Sequence, residues 1–312
     1  MKETTLAPAA ALPKKNSVGV LAVIVALFLA AVDSTIVSTV LPTISQQLGH
    51  PSLWPWVMSA FLLPVALVAP LAGACGDRLG VSTTLKACLL IFLGASVLAA
   101  VSATMPMLIL ARALQGVGAG GIIVLSYSLL AALFDAERRG KMQGMLSGVW
   151  GLSAIVGPLL GSALGATFGW RAIFWLNIPF GLLALLLLFV APAVSKGTGR
   201  RHLDMPAQAA LIVAACCLLL LTARPDSGDA SFGMLTAGFI VGLLALIARV
   251  RRQPECSPIP LPFFQRRTLF PVIVLVLLSS AGLYASVTLL PLALSQHPIA
   301  LSTGLLVMLA AL

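Results

Sequence analysis

Long apolar runs alternate along this chain with short polar breaks, and the breaks hold nearly all of its charges. The runs predict helices near 18–41, 54–75, 84–102, 106–133, 143–168 and 171–192. A pair follows near 205–222 and 231–249, then a ninth helix near 269–295 and the start of a tenth from Leu301. Most runs approach or exceed the roughly 20 residues a helix needs to cross about 30 Å of hydrocarbon. A helix satisfies its own backbone polar groups in lipid, so the pattern predicts an all-α membrane protein. The longest polar breaks, Ser195 to His202 and Arg249 to Arg267, divide the chain. The expected parts are a tail (1–17), a six-helix bundle (18–192), an inserted two-helix segment (193–250), a linker (251–268) and the incomplete start of a second bundle (269–312).

Composition strengthens that picture. Hydrophobic residues make up 60% of the 312 positions and charged residues 9%, against about a quarter charged in soluble domains. The formal charge of +10 then needs a membrane explanation before a nucleic-acid one. Sorted by loop, Lys2, Lys14, Lys15, Arg78, Lys86, Arg138, Arg139, Lys141, Lys196, Arg200, Arg201, Arg249, Arg251, Arg252, Arg266 and Arg267 fall on one side. Arg171 and Arg224 fall on the other. The positive-inside rule makes the crowded side cytoplasmic, with the N-terminus inside and the first run kept as a helix rather than cleaved as a leader. The basic face is one that meets anionic lipid, and no nucleic-acid partner is expected. Cys75, Cys88, Cys216, Cys217 and Cys256 lack metal-ligand spacing and read as reduced packing residues; no metal site and no cofactor are expected.

Two charges remain inside the apolar runs, Asp33 and Arg112. A carboxylate at the centre of a span costs about 2.5 to 3.5 kcal/mol on insertion scales, so it should face a partner or a cavity. Helix rise places Asp33 about 12 Å and Arg112 about 9 Å below the outer ends of the first and fourth helices, at similar depth. Gln115, Gly116 and Ala119 follow Arg112 at i+3, i+4 and i+7, a stripe of one helix face expected to line a substrate cavity. Burial favours a neutral carboxyl and a nearby cation a charged one, so a moving helix can load and unload a proton. In the fifth helix Gly157, Gly161 and Gly165 recur every four residues beside Pro158, with Gly144 and Gly148 earlier, a seam that lets helices approach closely.

These residues, taken in order, resemble the motifs of the major facilitator superfamily, and within it the fourteen-helix drug:proton antiporter branch. Asp33-Ser34-Thr35-Ile36-Val37 with Leu41-Pro42 is similar to the branch's first-helix signature, whose aspartate is implied in proton coupling. Gly73, Asp77, Arg78 and Gly80 match the loop motif between helices two and three, implied to latch the two bundles. Cys75 stands there where leucine is usual, and Val81-Ser82 replaces a basic pair, which implies a weaker latch. Arg112, Gln115, Gly116 and Gly118 match the fourth-helix motif, whose arginine is implied in proton transfer. Gly157, Pro158 and Gly161 match the antiporter motif, with Ser162 in place of its final glycine. Trp170-Arg171, Phe174-Trp175, Asn177, Pro179 and Gly181 look like the outer loop and start of helix six.

The resemblance implies a major facilitator fold and a non-enzymatic exporter of hydrophobic or cationic drugs across the cytoplasmic membrane. It implies a proton gradient as energy source, a small-molecule substrate, and room for periplasmic or outer-membrane partners. It also implies about four more helices than residues 1–312 supply. Two alternatives stay open: export of an endogenous or anionic metabolite with Arg112 as binding charge, and an inactive remnant lacking half the transport path. An intramembrane enzyme is disfavoured because His50, His202 and His297 all fall in loops and no embedded acid–base set accompanies them.

Overall fold

The computed structural model describes residues 14–50, 53–134, 136–191, 204–223, 230–253, 258, 269–280 and 282. Its described elements are α1 (Lys14–Leu48), α2 (Trp54–Leu79), α3 (Val81–Ala100), α4 (Met105–Leu133), α5 (Arg139–Thr167), α6 (Arg171–Val190), α7 (Met205–Ala223) and α8 (Ala230–Arg252). All eight are long and apolar enough to cross a membrane. A short apolar helix, Phe270–Ser280, falls in the expected ninth span. The rest of that span, the tenth, the tail before Lys14 and most of the linker lie outside the described residues.

Two boundaries differ from the sequence reading for physical reasons. The apolar pattern stops α1 at Leu41, yet the helix runs through Pro42 to Leu48. A proline removes one backbone donor, and a long helix packed among neighbours tolerates the loss. The second helix continues to Leu79 and α3 begins at Val81, so Gly80 alone joins them. Its φ of 96° turns the chain in one residue, its N–H donates to the Gly76 carbonyl at 2.9 Å, and its own carbonyl accepts from the Thr84 hydroxyl at 3.0 Å. A side chain at that φ would be strained.

The bundle packs with an internal symmetry. The fourth helix lies against α2 and α3, while α1 lies against α5 and α6; α1 meets α4, and α3 meets α6. Exchanging helices one to three with four to six leaves this pattern unchanged, as in two three-helix repeats of inverted topology. Side-chain contacts sort the helix ends in the same way. At one end Trp170 donates from Nε1 to Gln47 Oε1 at 2.8 Å and Arg171 donates to the Ser102 carbonyl at 2.9 Å. At the other, the Lys86 ammonium sits 4.3 Å from the centre of the Phe189 ring.

The inserted pair packs mainly on itself, where Gly242 admits the Ala210–Ala214 turn of α7 against α8. It meets the bundle along α2, where Gln208 of α7 donates to the Leu67 carbonyl at 2.6 Å. Asp204 caps α7 by accepting from the Ala207 N–H at 3.2 Å.

Candidate functional site

The two embedded charges meet where the repeats meet. Arg112 of α4 donates from Nη1 to Asp33 Oδ2 of α1 at 2.5 Å, and both side chains are 0% exposed. The same nitrogen donates to Gln115 Oε1 at 2.9 Å. Above the guanidinium lies the Phe61 ring of α2, its centre 4.1 Å from Cζ. Such stacking adds about 0.5–2 kcal/mol in a dry site. The equal-depth arithmetic therefore paired the two residues that meet, although α1 extends about two turns further than that arithmetic assumed.

Two further residues, not among the expected site residues, complete the cluster. Asn177 of α6 donates from Nδ2 to Asp33 Oδ1 at 2.8 Å and to Ser96 Oγ at 3.2 Å. Gln115 Nε2 also donates to Ser96 Oγ, at 2.8 Å, and the Ser96 hydroxyl donates to the Phe92 carbonyl at 2.8 Å. A guanidinium only donates and a carboxylate only accepts, so the chemistry at the two ends fixes both amide orientations. The result is a closed polar network over α1, α3, α4 and α6, fully buried in an apolar bundle. Each carboxylate oxygen accepts one charge-assisted hydrogen bond, the strong kind. One signal in the sequence points to Asn177: it is one of only two asparagines, and it sits inside an apolar run.

The stripe after Arg112 is placed differently from expectation. Gln115 is engaged in the network, a Cβ on Gly116 would strike the Phe61 carbonyl, and Ala119 lies in the apolar core. These residues are buried and close α4 against its neighbours among the described residues rather than lining a cavity there. Gly118 and Gly120 serve the same end, against the Cys88 and Val65 carbonyls.

The helix-five glycines separate into two groups. Gly157 abuts Thr35, Gly161 abuts Thr39 and Ile36, and Gly165 abuts Val40, so α5 rides directly on the turns of α1 that follow Asp33. Thr35 Oγ1 donates across this contact to the Ser153 carbonyl at 3.3 Å. Gly144 and Gly148 have nothing among the described residues within 4 Å of a Cβ and take no part in the seam there. In the loop motif, Gly76 packs under Leu125, Gly73 faces Val124, Asp77 is half-buried and Arg78 is exposed. Neither Asp77 nor Arg78 forms an ion pair among the described residues; the one such pair is Asp33 with Arg112. Cys88 packs on Gly121 as expected of a packing residue, whereas Cys75 is exposed.

A bundle of apolar spans with two-repeat internal symmetry and, among the described residues, one buried charge pair where the repeats meet defines an all-helical, multi-pass membrane protein. The chain belongs to the Major Facilitator Superfamily, whose family model matches residues 23–312. Among curated relatives, the multidrug transporter protein MdtP of Bacillus subtilis (strain 168) is 28% identical over 280 residues, covering 89% of this chain and 52% of the relative. The efflux pump FUS6 of Gibberella fujikuroi is 31% identical over 272 residues, covering 82% and 48%. This chain thus spans about half the length of the curated relatives it matches. Among solved structures, an auto-inhibited POT family peptide transporter aligns with TM-score 0.64 at 14% identity, covering 95% of this chain and 65% of that one. A D-xylose-proton symporter aligns with TM-score 0.54 at 17% identity, covering 94% and 77%. At such identities these two establish the fold.

Proposed function

We propose that the protein is a proton-coupled antiporter, of the fourteen-helix drug-exporting branch, that moves hydrophobic or cationic compounds out across the cytoplasmic membrane. One observation carries this reading: the sole carboxylate buried mid-span among the described residues lies on α1 of one three-helix repeat and is held by two donors of the other, Arg112 of α4 and Asn177 of α6. Neutralising Asp33 releases the strongest contact between α1 and α4. The glycine seam then allows α1 to slide against α5, since no bulky side chain at Gly157, Gly161 or Gly165 interlocks them. Proton binding is thereby turned into helix movement, and in antiport a cationic substrate and the proton take turns at one negative charge. The names of two relatives, a multidrug transporter and an efflux pump, support an export role.

The positive-inside pattern supports a cytoplasmic N-terminus and an outward α7–α8 loop. Gly73, Asp77, Arg78 and Gly80 are proposed to latch this bundle to its mate at the cytoplasmic end. A second reading, export of an anionic or endogenous metabolite, is favoured by Arg112, whose Nε and Nη2 donate no hydrogen bond among the described residues. Buried donors without acceptors are costly, and a substrate carboxylate would satisfy them.

The test is efflux of a cationic dye from energised cells expressing the chain as residues 1–312 or continued by the C-terminal half of a full-length relative. Efflux by the continued form that collapses with a protonophore and with Asp33→Asn supports the proposal. Full efflux by Asp33→Asn overturns it, and inhibition by anionic but not cationic compounds favours the second reading.

A further inference from the structure

Asp33 can accept a proton only where its surroundings can turn from donor to acceptor. At Oδ2 the neighbour is Arg112, and a guanidinium has no lone pair to offer. A proton there would face another donor at 2.5 Å and break the contact between α1 and α4 outright. At Oδ1 the neighbour is Asn177, whose side chain carries a donor and an acceptor on the same rotor. The two oxygens of Asp33 are thus chemically unequal.

We propose that Asn177 is the positioning residue that senses the charge of Asp33: it donates from Nδ2 to the carboxylate and, once Oδ1 of Asp33 is protonated, rotates its amide to accept from the new O–H. This deepens the proton-coupled reading and rests on it. The step balances simply: a proton from water forms an O–H bond at Asp33 Oδ1, the Nδ2–H···Oδ1 hydrogen bond breaks, and an O–H···Oδ1 hydrogen bond to Asn177 replaces it. The rotation has a consequence at Ser96. In the charged state both lone pairs of Ser96 Oγ are filled by Gln115 and Asn177 while its hydroxyl donates to the Phe92 carbonyl. After rotation Asn177 presents an oxygen there, so the hydroxyl hydrogen of Ser96 swings from Phe92 towards it. Protonation of one side chain on α1 is thereby transmitted to α6 and α3 before Arg112 lets go.

Other ionisable groups are too far to share this role. On the elements packed around Asp33, Arg171 of α6 lies six residues from Asn177, Cys88 and Lys86 of α3 eight and ten from Ser96, and Tyr127 of α4 fifteen from Arg112. At the helical rise these are separations of about 9, 12, 15 and 22 Å. On α5, the neighbours of α1 are Gly157, Gly161 and Ser153, none of them ionisable; on α2, Phe61 lies sixteen residues, about 24 Å, from Asp77.

The composition makes the test direct. Asn16 and Asn177 are the only asparagines in the chain, so selective side-chain ¹⁵N-asparagine labelling gives two amide groups. Spectra are recorded on the whole chain in lipid nanodiscs across a pH series, alongside infrared detection of the protonated Asp33 carboxyl, recognised by its loss in Asp33→Ala. The proposal expects the Asn177 amide signals to move in step with the Asp33 band, to stay fixed in Asp33→Ala, and those of Asn16 not to follow. In Asn177→Ala the acid loses its acceptor and its C=O stretch moves to higher wavenumber, whereas Asn177→Gln keeps the lower one. If Asn177→Ala does not fold, Ser96→Ala gives a second reading, because it must alter the Asn177 signals in both charge states. An Asn177 amide that ignores protonation of Asp33, or an unmoved C=O stretch in Asn177→Ala, overturns the amide rotation and leaves proton coupling standing. An Asp33 that never protonates overturns both.

Discussion

Removing one member of the Asp33–Arg112 pair should cost far more than removing both. Arg112→Leu leaves a fully buried carboxylate whose one remaining polar contact is Asn177, and it also strands Gln115 Oε1 and removes the cation over Phe61. Breaking a buried pair in this way costs about 3–5 kcal/mol. Asp33→Asn removes the charge but keeps an oxygen of the same size, so Arg112 is left as an unpaired cation and a cost of similar order follows. The double variant Asp33→Leu/Arg112→Leu leaves no buried charge, and well-packed apolar replacements of such pairs are often neutral. With each single loss at about 3–5 kcal/mol and the double variant near neutral, the coupling energy should be about 6 kcal/mol or more, above the usual range of about 0.5–3 kcal/mol for residues in contact. Unfolding of the purified chain in mixed micelles, followed by circular dichroism for the wild type, both single leucine variants and the double, measures the cycle. Additive losses, with a coupling within about 0.5 kcal/mol of zero, would refute the view that the two charges are held in place by each other.

Other parts of the account make their own predictions. Gly161→Val drives a side chain into Thr39 and Ile36 of α1 and should cost about 1–3 kcal/mol, whereas Gly148→Val, facing open space, should cost little; the same unfolding assay compares them. Trp170→Ala loses a fully buried ring and its bond to Gln47 and should cost about 3–5 kcal/mol, against about 1 kcal/mol for Gln47→Leu, which removes the hydrogen bond alone. For topology, a lone cysteine at position 228 in a cysteine-free background should react with an impermeant thiol reagent added outside; reaction only from the cytoplasmic side would invert the orientation.

The spans were legible because lipid leaves a helix no choice but a long apolar run, so hydropathy reports the fold almost directly. The same severity exposed Asp33 and Arg112, since nothing weak could justify two charges in such runs. Ser96 and Asn177 were harder to find. Uncharged polar groups cost little in an apolar run, and their importance comes from α3 and α6 packing against α1 and α4, a tertiary relation that no local spacing encodes. The end of α1 was misplaced because Pro42 is a stop signal in water but only one lost hydrogen bond in a packed helix. The stripe of Gln115, Gly116 and Ala119 shows the limit of one-face reasoning: small residues at helical spacing mark close approach, and only the neighbouring helices decide whether the space is filled. Here the Phe61 carbonyl of α2 fills it at Gly116, and the Val65 carbonyl of α2 and the Cys88–Phe92 turn of α3 close on the neighbouring Gly120 and Gly118.

The central claim is that Asp33 carries the exchanged proton, and proton release on substrate binding tests it most directly. A lipophilic cation such as tetraphenylphosphonium is added to the purified transporter, continued by the C-terminal half of a full-length relative, in weakly buffered solution with a pH indicator. The account predicts release of about one proton per transporter as the cation displaces it from the buried carboxyl, and no release from Asp33→Asn. Equal proton release by wild type and Asp33→Asn would contradict it.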